Sequence, residues 1–391
     1  MTYLSLILIV LAVFTFAELL LSGYDKAKKQ LFVLAYICTV VLIASRYSIG
    51  PDIMSYIPFY KNMSNADFLH YEGNFEYGFA LFCMLCNDIG LSYWGMTCVV
   101  TLLYFVPLYF VWRKIPDYRI LALFALVVFD YNLMLYELRQ CLAVAFMLWA
   151  FLFWEKKMFV MVFACCLVSC TMHKSAVIMF LLAGLVYLLR GLRIEVKAYL
   201  LLGLALFLML MIPLGSVLEA LIAYLPFPHA SISSLLHHLS RTQSLQLVFP
   251  IYIGAILCLA YYLSKDNDKR TLHWMAWMSF LVIVLLFQYW FLLNRIRSYF
   301  LPFIIPYFCY VVYYSKQKNR LPIQLFVLLF LAFGISLIYR NNRDASKLYS
   351  KSNNISTVFE RFKYSEADLQ KRQIDEAEKF WRYDYNDKEK W

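Results

Sequence analysis

The protein has 391 residues, of which 63% are hydrophobic, 19% aromatic and 16% charged. A water-soluble core cannot bury such an apolar excess, so the composition excludes a soluble globular protein and predicts a polytopic membrane protein. The net charge of +11 does not indicate a nucleic-acid partner, because the basic residues lie in short clusters between apolar runs.

Apolar runs of about 20 residues recur along the chain, and each approaches the length needed to cross about 30 Å of hydrocarbon. Lipid satisfies no backbone hydrogen bonds, so these runs are predicted to be α-helices. The first run lacks the basic start and the cleavage site of a signal peptide and is expected to be retained. About twelve spans are predicted, near 3–21, 31–47, 93–112, 119–136, 139–154, 158–173, 174–190, 198–214, 246–264, 272–292, 298–314 and 321–339.

The basic clusters set the predicted orientation, since loops rich in lysine and arginine face the cytoplasm. These clusters are Lys26, Lys28 and Lys29; Arg113 and Lys114; Lys156 and Lys157; Arg190, Arg193 and Lys197; Lys265, Lys269 and Arg270; and Lys316, Lys318 and Arg320. Twelve spans then place both termini outside. Residues 1–339 form the predicted transmembrane domain with a main external loop at about 213–246, and residues 340–391 form a polar tail.

The stretch at 77–90, YGFALFCMLCNDIG, is apolar but short. Counting it as a full crossing reverses every later loop, so it is interpreted as a re-entrant or half-inserted helix near 77–90. Such a segment requires protein or water around its exposed backbone. A short tilted span is the alternative. The predicted fold class is therefore all-α, a polytopic integral membrane protein with about twelve helices plus this short one.

Several ionisable residues at span ends fall on the predicted external side, against the orientation rule: Arg46, Asp52, Glu76, Arg139, His173, Lys174, Arg295 and Arg297. A lone arginine of this kind usually snorkels to the interface, but a group from different helices favours a binding site. Arginine suits phosphate, because its planar fork donates paired hydrogen bonds and stays ionised.

The other polar groups in this layer allow two interpretations each. Asp52 and Glu76 either neutralise the arginines or act on a substrate, and His173 either moves a proton or caps its helix. Arg295 and Tyr299 lie one helical turn apart and share a face, whereas Arg297 points elsewhere. A metal site at Cys165, Cys166, Cys170 and His173 is disfavoured, because neighbouring helical positions do not converge on one tetrahedral ion.

Five motifs occur in the order and approximate spacing of one known family: RYSIGPDIMSY (46–56), NFEYGF (74–79), YELRQCLAVAF (136–146), TMHKSAVIMF (171–180) and NRIRSYF (294–300). Over roughly residues 30–345, the chain resembles the EpsG-type family, which is related to the Wzy polysaccharide polymerases. The matching positions are Arg46, Gly50, Asp52, Tyr56, Glu76, Arg139, Gln140, His173, Ser175, Arg295 and Tyr299. Pro51 departs from the pattern and restricts the backbone ahead of Asp52.

The resemblance implies a multi-pass enzyme of the bacterial cytoplasmic (inner) membrane, similar to membrane glycosyltransferases of the GT-C type. It implies that polyprenyl-diphosphate-linked oligosaccharides are joined into a surface or exopolysaccharide at an extracytoplasmic site. The expected partners are this lipid-linked glycan, membrane lipid and a chain-length regulator protein. No metal or cofactor is expected, since no acidic cluster has a metal-ligand pattern.

The residues then receive roles from the chemistry of the reaction. Arginines stabilise the departing diphosphate, in the order Arg139, Arg46, Arg295. The acceptor hydroxyl must lose its proton to a base. The candidates for this base are Glu76, Asp52 and His173, and Glu76 is ranked first. Further substrate contacts are assigned to Tyr56, Gln140, Tyr299 and Arg297.

Two other functions fit part of the pattern. A transporter or flippase for the same lipid-linked glycan also needs basic residues facing diphosphate, but it should place polar groups near the membrane midplane, whereas here they gather at one face. A noncatalytic assembly subunit is the other possibility, but it gives no function to the arginines on the predicted external side. The enzyme is favoured over both.

Overall fold

A computed structural model describes residues 3–21, 24–46, 53–63, 75–113, 115, 117–177, 180, 184, 296–306 and 309. The described elements of the first part are α1 (Tyr3–Leu20), α2 (Asp25–Ala44), α3 (Ile53–Asn62), α4 (Tyr77–Asp88), α5 (Tyr93–Trp112), α6 (Arg119–Leu135), α7 (Leu138–Glu155), α8 (Phe159–Met172) and a 3-10 turn at Lys174–Ala176. A further helix covers 296–306. The chain divides into two compact units, 1–176 with 320–391, and 177–319.

In the described part of the chain, helices occupy the runs predicted at 3–21, 31–47, 93–112, 119–136, 139–154 and 158–173, and no β-strand occurs. Three of the described helices are long and apolar enough to cross a membrane: α2, α5 and α7. Two shorter apolar helices lie at Leu6–Leu20 and Phe159–Met172. The predicted spans at 198–214, 246–264, 272–292 and 321–339, the loop at 213–246 and the tail at 340–391 lie outside the described residues.

An ion pair shows which helix ends lie together. Lys28 Nζ, near the start of α2, lies 2.9 Å from Asp117 Oδ2 in the connection between α5 and α6. The start of α2 and the end of α5, which leads to Asp117, therefore lie at the same end of the first unit. Lys28 and Arg113, which belong to two of the predicted basic clusters, thus lie at one end of the first unit.

This arrangement leaves α3 and α4 at the opposite end, which carries Arg139. The helix α2 leads to that end and α5 starts from it, so the intervening segment makes no net crossing. The helix α4 has 12 residues, which span only about 18 Å at about 1.5 Å per residue. The re-entrant or half-inserted placement of this helix stays a prediction. The helix α3, which contains Pro58, was not predicted.

A buried carboxylate fixes the start of α6. Both oxygens of Glu18, from α1, accept hydrogen bonds from backbone N–H groups of the first turn, Ile120 and Leu121, each at 3.2 Å. Acceptor oxygens suit a helix N-terminus, because the first N–H groups there lack intrahelical partners. Since Tyr118, which precedes α6, has a left-handed backbone with φ 60° and no side-chain cap, this contact from α1 replaces a local capping residue.

The helix α7 is the centre of the first unit and packs against both α5 and α8. The hydroxyl of Ser169 in α8 donates to the Ala143 carbonyl of α7 at 2.7 Å. Such a bond between helices adds direction to a contact that is otherwise apolar. The first turn of α7, which carries Arg139, is therefore held on a rigid support.

Candidate functional site: an arginine and a carboxylate at the mouth of α7

The site is centred on an ion pair between Arg139, in the first turn of α7, and Glu76, which immediately precedes α4. Arg139 Nη1 lies 2.5 Å from Glu76 Oε2, and the two side chains are 22% and 8% exposed. A charge-assisted contact of this length between largely buried partners is strong and directional. The pair joins two motifs, NFEYGF and YELRQCLAVAF, that the sequence predicted to belong to one site.

Aromatic rings fix the plane of the guanidinium. Its carbon lies 4.7 Å from the centroid of the Phe75 ring and 5.8 Å from that of Tyr56. The Tyr56 hydroxyl also accepts a hydrogen bond from Arg139 Nε at 3.1 Å. These contacts hold Arg139 through Nε and Nη1, and among the described residues no hydrogen bond involves Nη2. The fork is thus oriented with one nitrogen still available to a ligand.

Glu76 is also bound to the segment that follows α8. Its Oε1 accepts the backbone N–H of Lys174 at 3.2 Å. Burial alone raises the pKa of Glu76, but the positive charge of Arg139 and the hydrogen bond from the Lys174 N–H outweigh it, so the pKa is lowered from its ordinary value. Glu76 is therefore an ionised carboxylate at neutral pH, and its unused lone pairs can accept a further donor.

His173 ends α8 in an extended conformation and is 8% exposed. Its Nδ1 lies 2.6 Å from the Ser175 hydroxyl and accepts the Ser175 backbone N–H at 3.2 Å. An Nδ1 that accepts a backbone N–H carries no proton, so the ring is neutral with its proton on Nε2. His173 therefore orders the turn that presents the Lys174 N–H to Glu76.

Arg46 occupies a more deeply buried position than Arg139. It is 5% exposed, and its Nη1 donates to the Ile43 carbonyl at 2.8 Å and to the Thr101 hydroxyl at 2.7 Å. Gln140, beside Arg139 in α7, is 2% exposed. The structure thus places Arg46 and Gln140 among packed helices, where Arg46 also binds the Ile43 carbonyl near the end of α2, a favourable position for a cation.

The second unit carries two of the remaining predicted site residues, on the helix at 296–306. Tyr299 is fully buried. Arg297 is half-buried, and its Nε has no hydrogen-bond partner in the described part of the chain. Asp52, Gly50 and Arg295 lie outside the described residues. The structure therefore brings together Glu76, Arg139, Tyr56 and the His173 turn in the first unit, and the roles of the others stay predictions.

Two groups that contribute to the site have no recognisable signal in the sequence. Phe75 is an apolar residue with no distinguishing pattern, and only its position directly before Glu76 places it on the guanidinium. The backbone N–H of Lys174 leaves no trace in the sequence, because every residue except proline has one.

The described helices and this charged site at one end of them define a helical membrane protein with a polar site in which an arginine and a carboxylate are paired. The sequence profile of the EpsG family matches residues 29–351. The match covers most of the chain, so the protein belongs to the EpsG family. Neither the curated proteins nor the solved structures gave a match.

Proposed function

We propose that the protein polymerises polyprenyl-diphosphate-linked oligosaccharide repeat units into a surface or exopolysaccharide, on the extracytoplasmic side of the bacterial cytoplasmic membrane. Membership of the EpsG family supports a role of the polysaccharide-polymerase type. The observation that carries the proposal is the geometry of Arg139, whose fork is held by Glu76, Tyr56 and Phe75 while Nη2 has no hydrogen-bond partner among the described residues.

The reaction transfers a glycan from one lipid carrier to a second glycan. An acceptor hydroxyl attacks the anomeric carbon of the donor, the bond from that carbon to the diphosphate oxygen breaks, and its electron pair leaves with the diphosphate. The hydroxyl proton passes to a base. Negative charge grows on the diphosphate as the bond breaks, and a fixed cation stabilises that charge without having to reorganise. Arg139 supplies this cation.

Glu76 is the base in this scheme. In the free protein its partners lower its pKa, which makes it a weak base. Diphosphate bound at Arg139 adds negative charge beside the carboxylate and raises its proton affinity at the stage when the acceptor must lose a proton. The ion pair therefore orients Arg139 before substrate binds. Once diphosphate is bound, Glu76 becomes a stronger base.

The test is mass analysis of the lipid-linked glycans that accumulate in a strain lacking the gene. The proposal expects a single unpolymerised repeat on the outer face of the membrane, and chain growth restored by the wild-type gene. The same repeat trapped on the inner face identifies a flippase and overturns the proposal. Purified protein supplied only with lipid-linked repeat units should also produce a ladder of longer glycans.

A further inference from the structure

Gly78 lies where α4 crosses α8 with almost no space between the two backbones. A Cβ atom added to Gly78 would lie 2.3 Å from Thr171 Oγ1, 2.8 Å from Thr171 Cβ and 2.9 Å from the Thr171 backbone carbon. Carbon atoms in favourable contact lie about 3.5–4.0 Å apart. The Thr171 hydroxyl cannot simply swing away at no cost, because it donates to the Val168 carbonyl at 2.8 Å. Any side chain at position 78 therefore pushes the two helices apart.

On both helices, this crossing lies within a turn of a group that takes part in the Glu76 contacts. Gly78 follows Glu76 by two residues, and Thr171 precedes Lys174, whose N–H binds Glu76, by three. The helix α8 is fastened to α7 by the Ser169 hydroxyl. A displacement of α4 away from α8 consequently moves Glu76 away from the Lys174 N–H and from Arg139 together.

We propose that Gly78 is a positioning residue of this site, because its missing side chain lets α4 approach α8 closely enough to set the distance between Glu76 and Arg139. Its consequence for polymerisation rests on the proposed function, whereas its consequence for the ion pair does not. A displacement of about 1 Å at a catalytic group lowers rates by up to about 100-fold, so a single methyl group here has a large effect.

The chain offers a matched control in Gly95, in the first turn of α5. A Cβ added there has its nearest contact at 3.4 Å, to Leu91 Cδ2, which is ordinary van der Waals contact. Both Gly78→Ala and Gly95→Ala gain helix propensity. A difference between them therefore reports the helix crossing.

The readout is the coupling between Glu76 and Arg139, measured as the nonadditive change in Tm among Glu76→Gln, Arg139→Gln and the double variant of purified protein. The cycle is repeated in the Gly78→Ala and Gly95→Ala backgrounds. A charged pair of this kind should give a nonadditive shift of about 2–5 °C in the wild-type and Gly95→Ala backgrounds. We expect that shift to disappear with Gly78→Ala, and polymerisation to fall about 10- to 100-fold.

A compensating variant keeps the test decisive if Gly78→Ala accumulates poorly. Thr171→Gly removes Oγ1 and Cβ, the two atoms nearest to the added Cβ, while the 2.9 Å approach to the backbone carbon remains in the double variant Gly78→Ala/Thr171→Gly. We expect this variant to fold and to recover part of the coupling. Undiminished coupling in Gly78→Ala, or no more coupling in a well-folded double variant than in Gly78→Ala, overturns the inference. Lost coupling with unchanged polymerisation leaves the positioning role intact and counts against the function proposed for the pair.

Discussion

Glu76 and Arg139 stand 63 positions apart in the chain, yet Oε2 of the first lies 2.5 Å from Nη1 of the second. The other oxygen of Glu76 is bound by the Lys174 N–H, so one carboxylate connects the start of α4, the start of α7 and the turn after α8. A change at any of these three points should therefore alter the position of the Arg139 guanidinium.

Replacing Arg139 with lysine tests the fork geometry. Lysine keeps the charge but loses the planar set of donors, so Arg139→Lys should lower polymerisation by about 10²–10³, or about 3–4 kcal/mol of transition-state stabilisation. Protein level in the membrane should be unchanged. The measurement is glycan length at matched expression.

Arg113 provides the control for that substitution. Its guanidinium also lies over an aromatic ring, 4.8 Å from the centroid of Phe110, but it follows α5 at the end of the bundle opposite Arg139. Arg113→Lys should leave glycan length unchanged. Full-length glycan from Arg139→Lys as well would show that Arg139 only reaches toward the headgroups, where lysine serves equally.

Tyr56→Phe removes the hydroxyl that accepts from Arg139 Nε and keeps the ring. The lost hydrogen bond should cost about 0.5–1.5 kcal/mol of stability and lower activity by roughly 3- to 10-fold, because the guanidinium loses one orienting contact. Tyr60→Phe, on the same helix, removes a bond to the Leu91 carbonyl of 2.7 Å. It should lower Tm to a similar degree without changing activity. Equal activities of the two variants would remove Tyr56 from the site.

The stability that Glu76 contributes should depend on pH in one direction only. Its pKa in the folded protein is lowered from an unfolded value of about 4.3. The contribution is therefore fully present above that value and is lost as pH falls through the lower folded value. The difference in Tm between wild type and Glu76→Gln should be constant near neutral pH and shrink in strongly acidic buffer.

The groups that face Glu76 strengthen this expectation. Arg139, whose positive charge lowers the pKa of Glu76, stays charged throughout this pH range. The loss should consequently begin only below the ordinary carboxyl range. A Tm difference that already shrinks between pH 7 and pH 5 would contradict the lowered pKa.

His173→Gln separates proton transfer from an ordering role in the turn. If His173 moves a proton, the variant should remain folded and inserted while polymerisation falls strongly. Ser175→Ala is the companion variant, since it removes the hydroxyl 2.6 Å from Nδ1 and keeps the ring. Near-normal glycan length in His173→Gln would leave His173 with a structural role.

Cysteine labelling tests the orientation of the bundle. In a background without native cysteines, a cysteine at Asn62, exposed at the end of α3, should react in intact cells with a thiol reagent that cannot cross the membrane. One at Lys156, exposed after α7, should react only after the membrane is opened. The reverse pattern would place the Arg139 site on the cytoplasmic face.

Residue type and order along the chain are enough to predict the helical membrane class, the bounds of several helices and the family. Hydropathy is decisive here, because lipid allows only long apolar helices to cross, and the spans predicted at 3–21 and 93–112 match α1 and α5 to within a residue or so. The motifs around Glu76 and Arg139 also indicated that both belong to one site. These conclusions depend on residue type and order along the chain, which the sequence contains in full.

The contacts among those residues could not be predicted from the sequence and follow from the way the helices pack. This packing paired Glu76 with Arg139, set Arg46 among packed helices beside Thr101, and made Gly78 a point where any side chain meets backbone. Distances between residues far apart in the chain depend on how helices pack, and packing depends on the shape of every facing side chain. An arginine near the start of a helix therefore predicts a positive charge at that helix end. The partner of that charge is known only from the positions of the packed helices.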